Sequence, residues 1–204
     1  MVEPLKIGLL GLGTVGTATA GILLSPESRH PLLKEIEIAK VGVKTLDKLR
    51  GVDFPEGVLT TDLEGIISDP NIQVVVELMG GLEPARSLIL KAIANHKHIV
   101  TANKAVISRY GEEIYRAAEA AGVYVLIEAA VGGGIPVIRP LQQALSVNRI
   151  QSILGIINGT TNFILTKMAA EGSNFSEVLT EVQELGYAEA DPSADVDGYD
   201  AADK

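Results

Sequence analysis

Short apolar runs alternate with amphipathic segments through about residue 130 of the chain. The runs predict β-strands at 7–10, 35–43, 57–60, 72–78, 98–100 and 123–129. The segments between them predict helices at about 16–24, 62–68, 85–95 and 104–121, with Thr61 or Asp62 as the cap of the second. Because strand and helix alternate, we predict an α/β fold built on a doubly wound parallel sheet of the Rossmann type.

The pattern changes near residue 136. A predicted helix at 136–145 leads into a longer amphipathic strand at 149–157, and two further helices follow at about 158–170 and 176–185. We therefore expect one domain at 1–135 and the first part of a second, α+β domain at 136–204.

A glycine motif, G-x-G-x-x-G, lies where the first predicted strand meets the first helix. Gly11 permits the tight turn, Gly13 lets backbone N–H groups approach a pyrophosphate, and Gly16 allows close packing of the helix. Glycine turns that bind nothing are common, but this one follows a strand and opens a helix. That context predicts dinucleotide binding, with the phosphates at the helix N-terminus.

Selectivity between NAD and NADP is set at the end of the second strand, where folds that select NAD carry an Asp or Glu. This chain has Lys44 there, and Asp47 comes three residues later. A cation at this point suits a 2′-phosphate, so we predict NADP, with NAD possible. The alternative is a solvent-exposed lysine.

A second lysine, Lys104, follows the fifth predicted strand, where Thr101 or Asn103 is placed to cap the next helix. A cation in a first helical turn opposes the macrodipole, which surface lysines tolerate. The position of Lys104 at a strand–helix junction favours a ligand contact.

Three glycines separate Glu128 from Pro136, and this loop has two interpretations. It can turn carbonyl oxygens inward beside the carboxylate and hold a hard cation. On the residues alone, a plain hinge is the favoured interpretation.

The chain ends in an acid-rich segment, in which residues 181–204 hold eight carboxylates and one lysine. A calcium loop with Gly198 at its sixth position is excluded, because its twelfth position would be Lys204 instead of a bidentate Glu. A solvated acidic tail is one interpretation. The other is that the carboxylates hold a substrate ammonium while the lysine passes a proton.

Composition narrows the function further. The net charge is −9, there is no basic cluster and aromatics make up 4%, so we expect no nucleic-acid partner. No apolar run is long enough to span a membrane and no signal peptide is evident, so we expect a cytoplasmic protein. Zero cysteines exclude disulfides, thiolate zinc sites and thiolate catalysis. The three histidines, His30, His96 and His98, lack ligand-like spacing and are interpreted as structural or exposed.

Six motifs in order along the chain resemble the homoserine dehydrogenase family. They are GLGTVG at 11–16, VELMGG at 76–81, TANKA at 101–105, EAAVGGGIP at 128–136, NGTTNFIL at 158–165 and GYAEADPSADVDGYDAADK at 186–204. The last two are far more specific than the glycine motif, and together the motifs cover nearly the whole chain. The resemblance implies reversible NAD(P)H-dependent reduction of L-aspartate 4-semialdehyde to L-homoserine, a step towards threonine and methionine.

The resemblance also implies a role for each matching residue. Gly11, Gly13, Thr14, Val15 and Gly16 would hold the pyrophosphate, Lys44 the 2′-phosphate, and Lys104 would contact cofactor and substrate. Glu189 would take the substrate ammonium with Asp195 and Asp200 as polar support, and Lys204 would be the acid. A monovalent cation, usually sodium, would bind Glu128 and the backbone oxygens of Val131, Gly133 and Ile135, in place of the hinge interpretation.

One feature departs from the resemblance: family members continue well beyond the lysine that matches Lys204. We therefore weigh an alternative, a truncated NADP-binding fragment with little turnover that exposes apolar sheet surface. A homodimer is implied for the intact family member. Aspartate-semialdehyde dehydrogenase is rejected because it needs a thiolate, and a dihydrodipicolinate-type reductase does not share the NGTTN and GYAEADP motifs.

Overall fold

The computed structural model describes residues 3–27, 29–188 and 191–204. Residue contacts divide the chain into two units, Met1–Gly134 and Ile135–Lys204. Buried apolar residues form two clusters in the first unit and one in the second. Each unit therefore has a hydrophobic core of its own.

The first unit is a six-stranded, all-parallel sheet with strand order β3-β2-β1-β4-β5-β6. This order confirms the predicted doubly wound α/β fold, which changes direction between β1 and β4. Its strands are β1 Leu5–Leu10, β2 Ile36–Gly42, β3 Leu59–Thr60, β4 Val74–Glu77, β5 His98–Thr101 and β6 Val125–Leu126. Its helices are α1 Thr14–Leu24, α2 Leu63–Ser68, α3 Ala85–Ala94 and α4 Lys104–Ala121, with a 3₁₀ turn at Pro31–Glu35.

Adjacent residues of the central strands enter different cores, on the two faces of the sheet. Leu10 and Val75 belong to one cluster, while Leu9 and Val76 belong to the other. Successive side chains of a strand point to opposite faces, so a strand covered on both sides is apolar at every position. This explains the apolar residues at 74–76 of β4, which are followed by the buried carboxylate of Glu77.

Helix ends in this unit are fixed by the residues that the pattern pointed to. Asp62 caps α2 by accepting a 2.9 Å hydrogen bond from the N–H of Gly65, and Asn103 caps α4 by accepting from the N–H of Val106. At the other end of α4, Gly122 takes the left-handed conformation typical of a helix terminus. The predicted bounds of α4 are confirmed at both ends.

The last predicted strand of the sheet is shorter than expected. The pattern indicated 123–129, but β6 spans only Val125–Leu126 and is followed by a 3₁₀ turn at Glu128–Ala130. β6 stands at the edge of the sheet and pairs only with β5. With one neighbour, the chain leaves the ladder as soon as it turns towards the glycine loop.

The regular secondary structure of the second unit is helical in the residues that the structure describes, 135–188 and 191–204. Its helices are α5 Gly159–Glu171, α6 Phe175–Glu184, α7 Ser193–Val196 and α8 Tyr199–Ala202, with a π-type turn at Pro140–Ala144. Asn158 caps α5, and Asn174 and Glu177 form a capping box at the start of α6. Ile164 of α5 packs with Val178 and Val182 of α6 in the core of this unit.

One prediction for this unit is confirmed in part and another is wrong. Of the helix expected at 136–145, residues 138–144 are helical, and from Pro140 to Ala144 they take π-type geometry, because Pro140 lacks the N–H that a regular α-helix would use there. The strand expected at 149–157 does not form among the described residues. Apolar and polar residues do alternate in this segment, but a strand also needs a neighbouring strand to pair with. Without one, Ile153, Leu154 and Ile156 are 68%, 95% and 72% exposed.

No helix in the part of the chain that the structure describes combines the length and apolar character needed to cross a membrane.

Candidate active site

The glycine turn after β1 is built around two close backbone approaches. Gly11 has a φ of +102°, and a Cβ there would lie 2.8 Å from the carbonyl oxygen of Leu78. A Cβ on Gly16 would lie 2.3 Å from the carbonyl oxygen of Gly11. Any side chain at either position would therefore displace backbone, which confirms the steric roles predicted for these two glycines.

Gly13 differs from both, because a Cβ there would meet no atom within 4 Å. It is the N-cap residue of α1, and the first turn of that helix contains no acidic residue. Thr14 and Val15, the first two helical residues, are exposed. Free N–H donors, the positive end of the helix dipole and an open backbone fit a pyrophosphate.

Lys44 lies two residues past the end of β2 and is exposed, as is Asp47. The loop after Lys44 wraps around the guanidinium of Arg50, a residue that the sequence pattern did not single out. That group donates hydrogen bonds to the carbonyl oxygens of Thr45, Leu46 and Lys48, the last at 2.8 Å. The loop thus places a lysine at the carboxyl edge of the sheet, where a 2′-phosphate would require a cation.

A buried carboxylate, Glu77, joins the loops after β4 and β5. Its Oε2 accepts a 2.7 Å hydrogen bond from the hydroxyl of Thr101, and its Oε1 accepts a 2.8 Å bond from the N–H of Met79. Asn103 donates to the carbonyl oxygen of Gly81 at 2.7 Å and so ties the same two loops together. Glu77 and Thr101 are both fully buried. Sequence analysis missed Glu77, although a carboxylate in a run predicted to be buried requires such partners.

Lys104 is the first residue of α4 and is half-buried. Of the two residues proposed to cap this helix, Asn103 does so. The other, Thr101, accepts a 3.0 Å hydrogen bond from the N–H of Asn103 through its hydroxyl. The network around Glu77 therefore fixes the backbone from which Lys104 projects.

The loop proposed as a cation site begins in the 3₁₀ turn at Glu128–Ala130. Glu128 is half-buried, and Gly132 and Gly134 have φ values of 60° and 81°. Among residues 3–27, 29–188 and 191–204, no three His, Cys, Asp or Glu side chains form a group that could hold a metal ion. Glu128 and the main-chain oxygens of this loop are hard oxygen ligands of the kind that bind hard cations.

The second unit gathers the predicted residues of the acidic end around one asparagine. The Nδ2 of Asn158 donates to Asp195 at 2.7 Å and to Asp200 at 2.8 Å. Lys204 forms a 2.9 Å ion pair with Asp200 and donates a hydrogen bond to the carbonyl oxygen of Ile157. The prediction for Glu189 lies outside the described residues.

The three histidines have main-chain partners. The ring nitrogen of His30 accepts from the N–H of Leu32, that of His98 accepts from the N–H of Tyr124, and His96 pairs with the carbonyl oxygen of Ala121. His30 and His96 are exposed and His98 is half-buried, which agrees with the interpretation of the histidines as structural or exposed.

Comparisons with known protein families agree with the two units. The family model for the homoserine dehydrogenase NAD-binding domain matches residues 11–128, and the family model for homoserine dehydrogenase matches residues 136–204. The chain belongs to the homoserine dehydrogenase family. Zero cysteines and the six motifs agree with that assignment.

Relatives within the homoserine dehydrogenase family extend the comparison. The chain is 71% identical over 199 residues to a homoserine dehydrogenase of Synechocystis sp., covering 98% of this chain and 46% of that protein. It resembles the crystal structure of a homoserine dehydrogenase from Thiobacillus denitrificans with a TM-score of 0.88 and 50% identity, over 99% of this chain and 47% of that one. A hyperthermophilic archaeal homoserine dehydrogenase solved in complex with NADPH matches with a TM-score of 0.78 and 25% identity, over 98% and 67%. The chain thus spans about half the length of the curated relatives it matches.

Proposed function

We propose that the protein containing this chain is a homoserine dehydrogenase, which interconverts L-aspartate 4-semialdehyde and L-homoserine with NADPH or NADP⁺. The observation that carries the proposal is the contact of Lys204 with Asp200, at the residues where the family motif predicts the acid and its support. The same proposal includes a place on the route to threonine and methionine, a cytoplasmic location and a homodimeric assembly. They are supported by the family resemblance.

The first unit would hold the cofactor. Gly11, Gly13, Thr14, Val15 and Gly16 would line the pyrophosphate at the start of α1, where donors and dipole favour an anion. Lys44 would pair with the adenosine 2′-phosphate and so select NADP over NAD. NADPH, when bound, supplies the hydride that reduces the aldehyde carbon.

The second unit would bind the substrate and supply the proton. Glu189 would take the substrate ammonium, with Asp195 and Asp200 as polar support. As negative charge grows on the aldehyde oxygen, Lys204 would donate a proton to it, an interaction worth most in the transition state. Lys104 would contact both cofactor and substrate.

The loop after β6 would hold a monovalent cation, sodium by resemblance. Glu128 would provide the carboxylate, and the backbone oxygens of Val131, Gly133 and Ile135 would complete the ligands. Oxygen ligands and glycines at positive φ support this assignment.

The experiment is the substitution Lys204→Ala in the purified protein, assayed by NADP⁺-dependent oxidation of homoserine. Loss of a positioned proton-transfer group lowers kcat by about 10²–10⁴-fold. The affinity for NADPH, measured by fluorescence titration, should stay unchanged. Lys167→Ala is the matched control, because Lys167 is a lysine of the same unit that pairs with Glu181 on α6. Equal losses in turnover and NADPH affinity would remove Lys204 from the role of acid.

The match of residues 11–128 to the NAD-binding domain of the family supports a second candidate, an NADP-binding module that does not turn over homoserine. The same assay separates the two. NADPH binding without homoserine oxidation in the unsubstituted protein would select the module.

A further inference from the structure

Asn158 is buried, with 7% of its surface exposed, and both ends of its amide are engaged. Its oxygen accepts hydrogen bonds from the N–H of Thr161 at 2.8 Å and from the Thr161 hydroxyl at 2.9 Å. This half of the amide caps α5. Its nitrogen carries two hydrogens, and each goes to a different carboxylate.

The two carboxylates belong to different short helices and share this nitrogen as a hydrogen-bond donor. Asp195 lies on α7 and Asp200 on α8. Two carboxylates that share a site repel each other unless donors or cations neutralise them. Here the donors come from one side chain that is itself fixed at the start of a long helix.

The arrangement extends from Asp200 to Lys204. The carboxylate of Asp200 accepts from Asn158 and pairs with the ammonium of Lys204 through the same oxygen, Oδ2. The ammonium also donates to the carbonyl oxygen of Ile157, the residue that precedes Asn158. Two carboxylates and one ammonium, those of Asp195, Asp200 and Lys204, are thus connected around this asparagine.

We infer that Asn158 is a positioning residue, which sets Asp195 and Asp200 side by side and thereby fixes the ammonium of Lys204. The inference rests on the proposed function for its catalytic consequence. No other side chain of similar size performs both tasks. Aspartate would keep the helix cap but lose both donors, and serine would keep the cap but carry no second hydrogen.

The test is therefore Asn158→Asp, which preserves the cap of α5 and removes only the bridge. A third carboxylate would stand against Asp195 and Asp200 and push the cluster apart. Because misplacement of a reacting group by about 1 Å costs about 100-fold, we expect kcat/KM for homoserine to fall by about that factor. The KM for homoserine should rise, while the KM for NADP⁺ should stay unchanged.

The matched control is Asn174→Asp. Asn174 is also an asparagine cap in this unit, at the start of α6, and its neighbour Glu177 completes a capping box. We expect that variant to keep the kinetic constants of the unsubstituted protein. A merely structural role of Asn158 would reduce the active fraction without changing the KM for homoserine, and that outcome would overturn the inference.

A rescue variant adds a second kinetic readout. The double substitution N158D/D195N exchanges amide and carboxylate across the 2.7 Å contact and restores one donor–acceptor pair. It should recover part of the activity that N158D loses. If the activity of the double variant is no higher than the separate losses of N158D and D195N together predict, the bridge does not act through Asp195.

A stability readout keeps the inference separate from the proposed function. In N158D a third carboxylate would stand beside Asp195 and Asp200 and repel them once all are ionised, so the loss of Tm relative to the unsubstituted protein should grow as the pH rises above about 4. N174D sets its new carboxylate against one other, Glu177, at the surface, so it should show a smaller pH dependence than N158D. If the unsubstituted protein fails to oxidise homoserine, the proposed function fails, but a pH-dependent loss of Tm in N158D still establishes the bridge. A loss of Tm in N158D that is independent of pH would refute it.

Discussion

The carboxylate of Glu77, at the end of β4, accepts a 2.7 Å hydrogen bond from the hydroxyl of Thr101, at the end of β5. The two residues are paired directly across these neighbouring strands, and neither has any exposed surface. The N–H of Met79 donates to the other carboxylate oxygen. The relationship explains how two loops at the carboxyl edge of the sheet keep a fixed geometry.

Substituting Glu77→Gln should destabilise the first unit. The amide group has only one acceptor oxygen, so either the N–H of Met79 or the hydroxyl of Thr101 loses its partner in a buried site. An unsatisfied buried polar group costs about 1–3 kcal/mol, measurable by urea unfolding. Glu113→Gln is the control, because Glu113 pairs with Arg86 at the surface and an exposed pair contributes about 0–1 kcal/mol. Similar losses in the two variants would contradict a structural role for the buried carboxylate.

The glycine turn offers a pair of substitutions that separate folding from cofactor binding. Gly16→Ala should unfold at lower temperature, because its Cβ would lie 2.3 Å from the carbonyl oxygen of Gly11. Gly13→Ala meets no atom within 4 Å, and its cost as a helix cap is about 1 kcal/mol. It should nevertheless weaken NADPH binding, because the methyl group would occupy the space proposed for the pyrophosphate.

Thermal unfolding and NADPH titration of both variants check this pair. An NADPH affinity of Gly13→Ala equal to that of the unsubstituted protein would place the pyrophosphate elsewhere. A Gly16→Ala variant with an unchanged Tm would show that the turn relaxes more readily than its backbone contacts indicate.

A buried lysine at the opposite end of the sheet predicts a specific pH dependence of stability. Lys97 donates hydrogen bonds of 2.6 Å to the carbonyl oxygens of Asp69 and Ile72. Burial lowers the pKa of the Lys97 ammonium below the ordinary value of 10.5, and the charge of Asp69 opposes that shift. In the window between the lowered pKa and 10.5, the unfolded chain binds more protons, so stability rises with pH there.

Lys97→Met removes this titration together with both hydrogen bonds. The free energy of unfolding should fall by about 1–3 kcal/mol near neutral pH, because buried carbonyl oxygens lose their donor. The difference from the unsubstituted protein should then widen as pH rises towards 10.5. Urea unfolding near neutral pH and at a pH close to 10.5 measures this difference in the free energy of unfolding. Lys91→Met, at an exposed lysine that pairs with Glu64, should show a small and constant difference. A difference for Lys97→Met that narrows with pH would reverse the predicted sign.

Most of the first unit could be predicted from the sequence because local patterns determine it. The apolar runs of β1 and β4 indicate strands buried on both faces, and the caps Asp62 and Asn103 mark helix starts. The bounds of the edge strand β6 were predicted poorly, because the length of an edge strand depends on a single neighbour.

The parts that sequence analysis missed depend on contacts between distant residues. Glu77 and Thr101 are 24 positions apart, and Asn158 and Asp200 are 42 apart. Neither spacing is periodic, so only the folded chain shows which partners meet. The amphipathic run at 149–157 illustrates the opposite error: alternation identifies a face to bury, but a strand also requires a neighbour to pair with.

Lys44 gives the sharpest test of cofactor choice. If it pairs with the 2′-phosphate, Lys44→Ala should weaken NADPH binding while leaving NADH binding unchanged, because NADH lacks that phosphate. A hydrogen bond to a charged group contributes about 1.5–3 kcal/mol, so the ratio of NADPH to NADH affinity should fall by about 10–100-fold. Lys34→Ala is the control: Lys34 lies just before β2, at the other end of the same strand, and carries the same charge. An equal loss of affinity for both cofactors would assign Lys44 to general electrostatic attraction. A preference of the unsubstituted protein for NADH would remove Lys44 from the cofactor site.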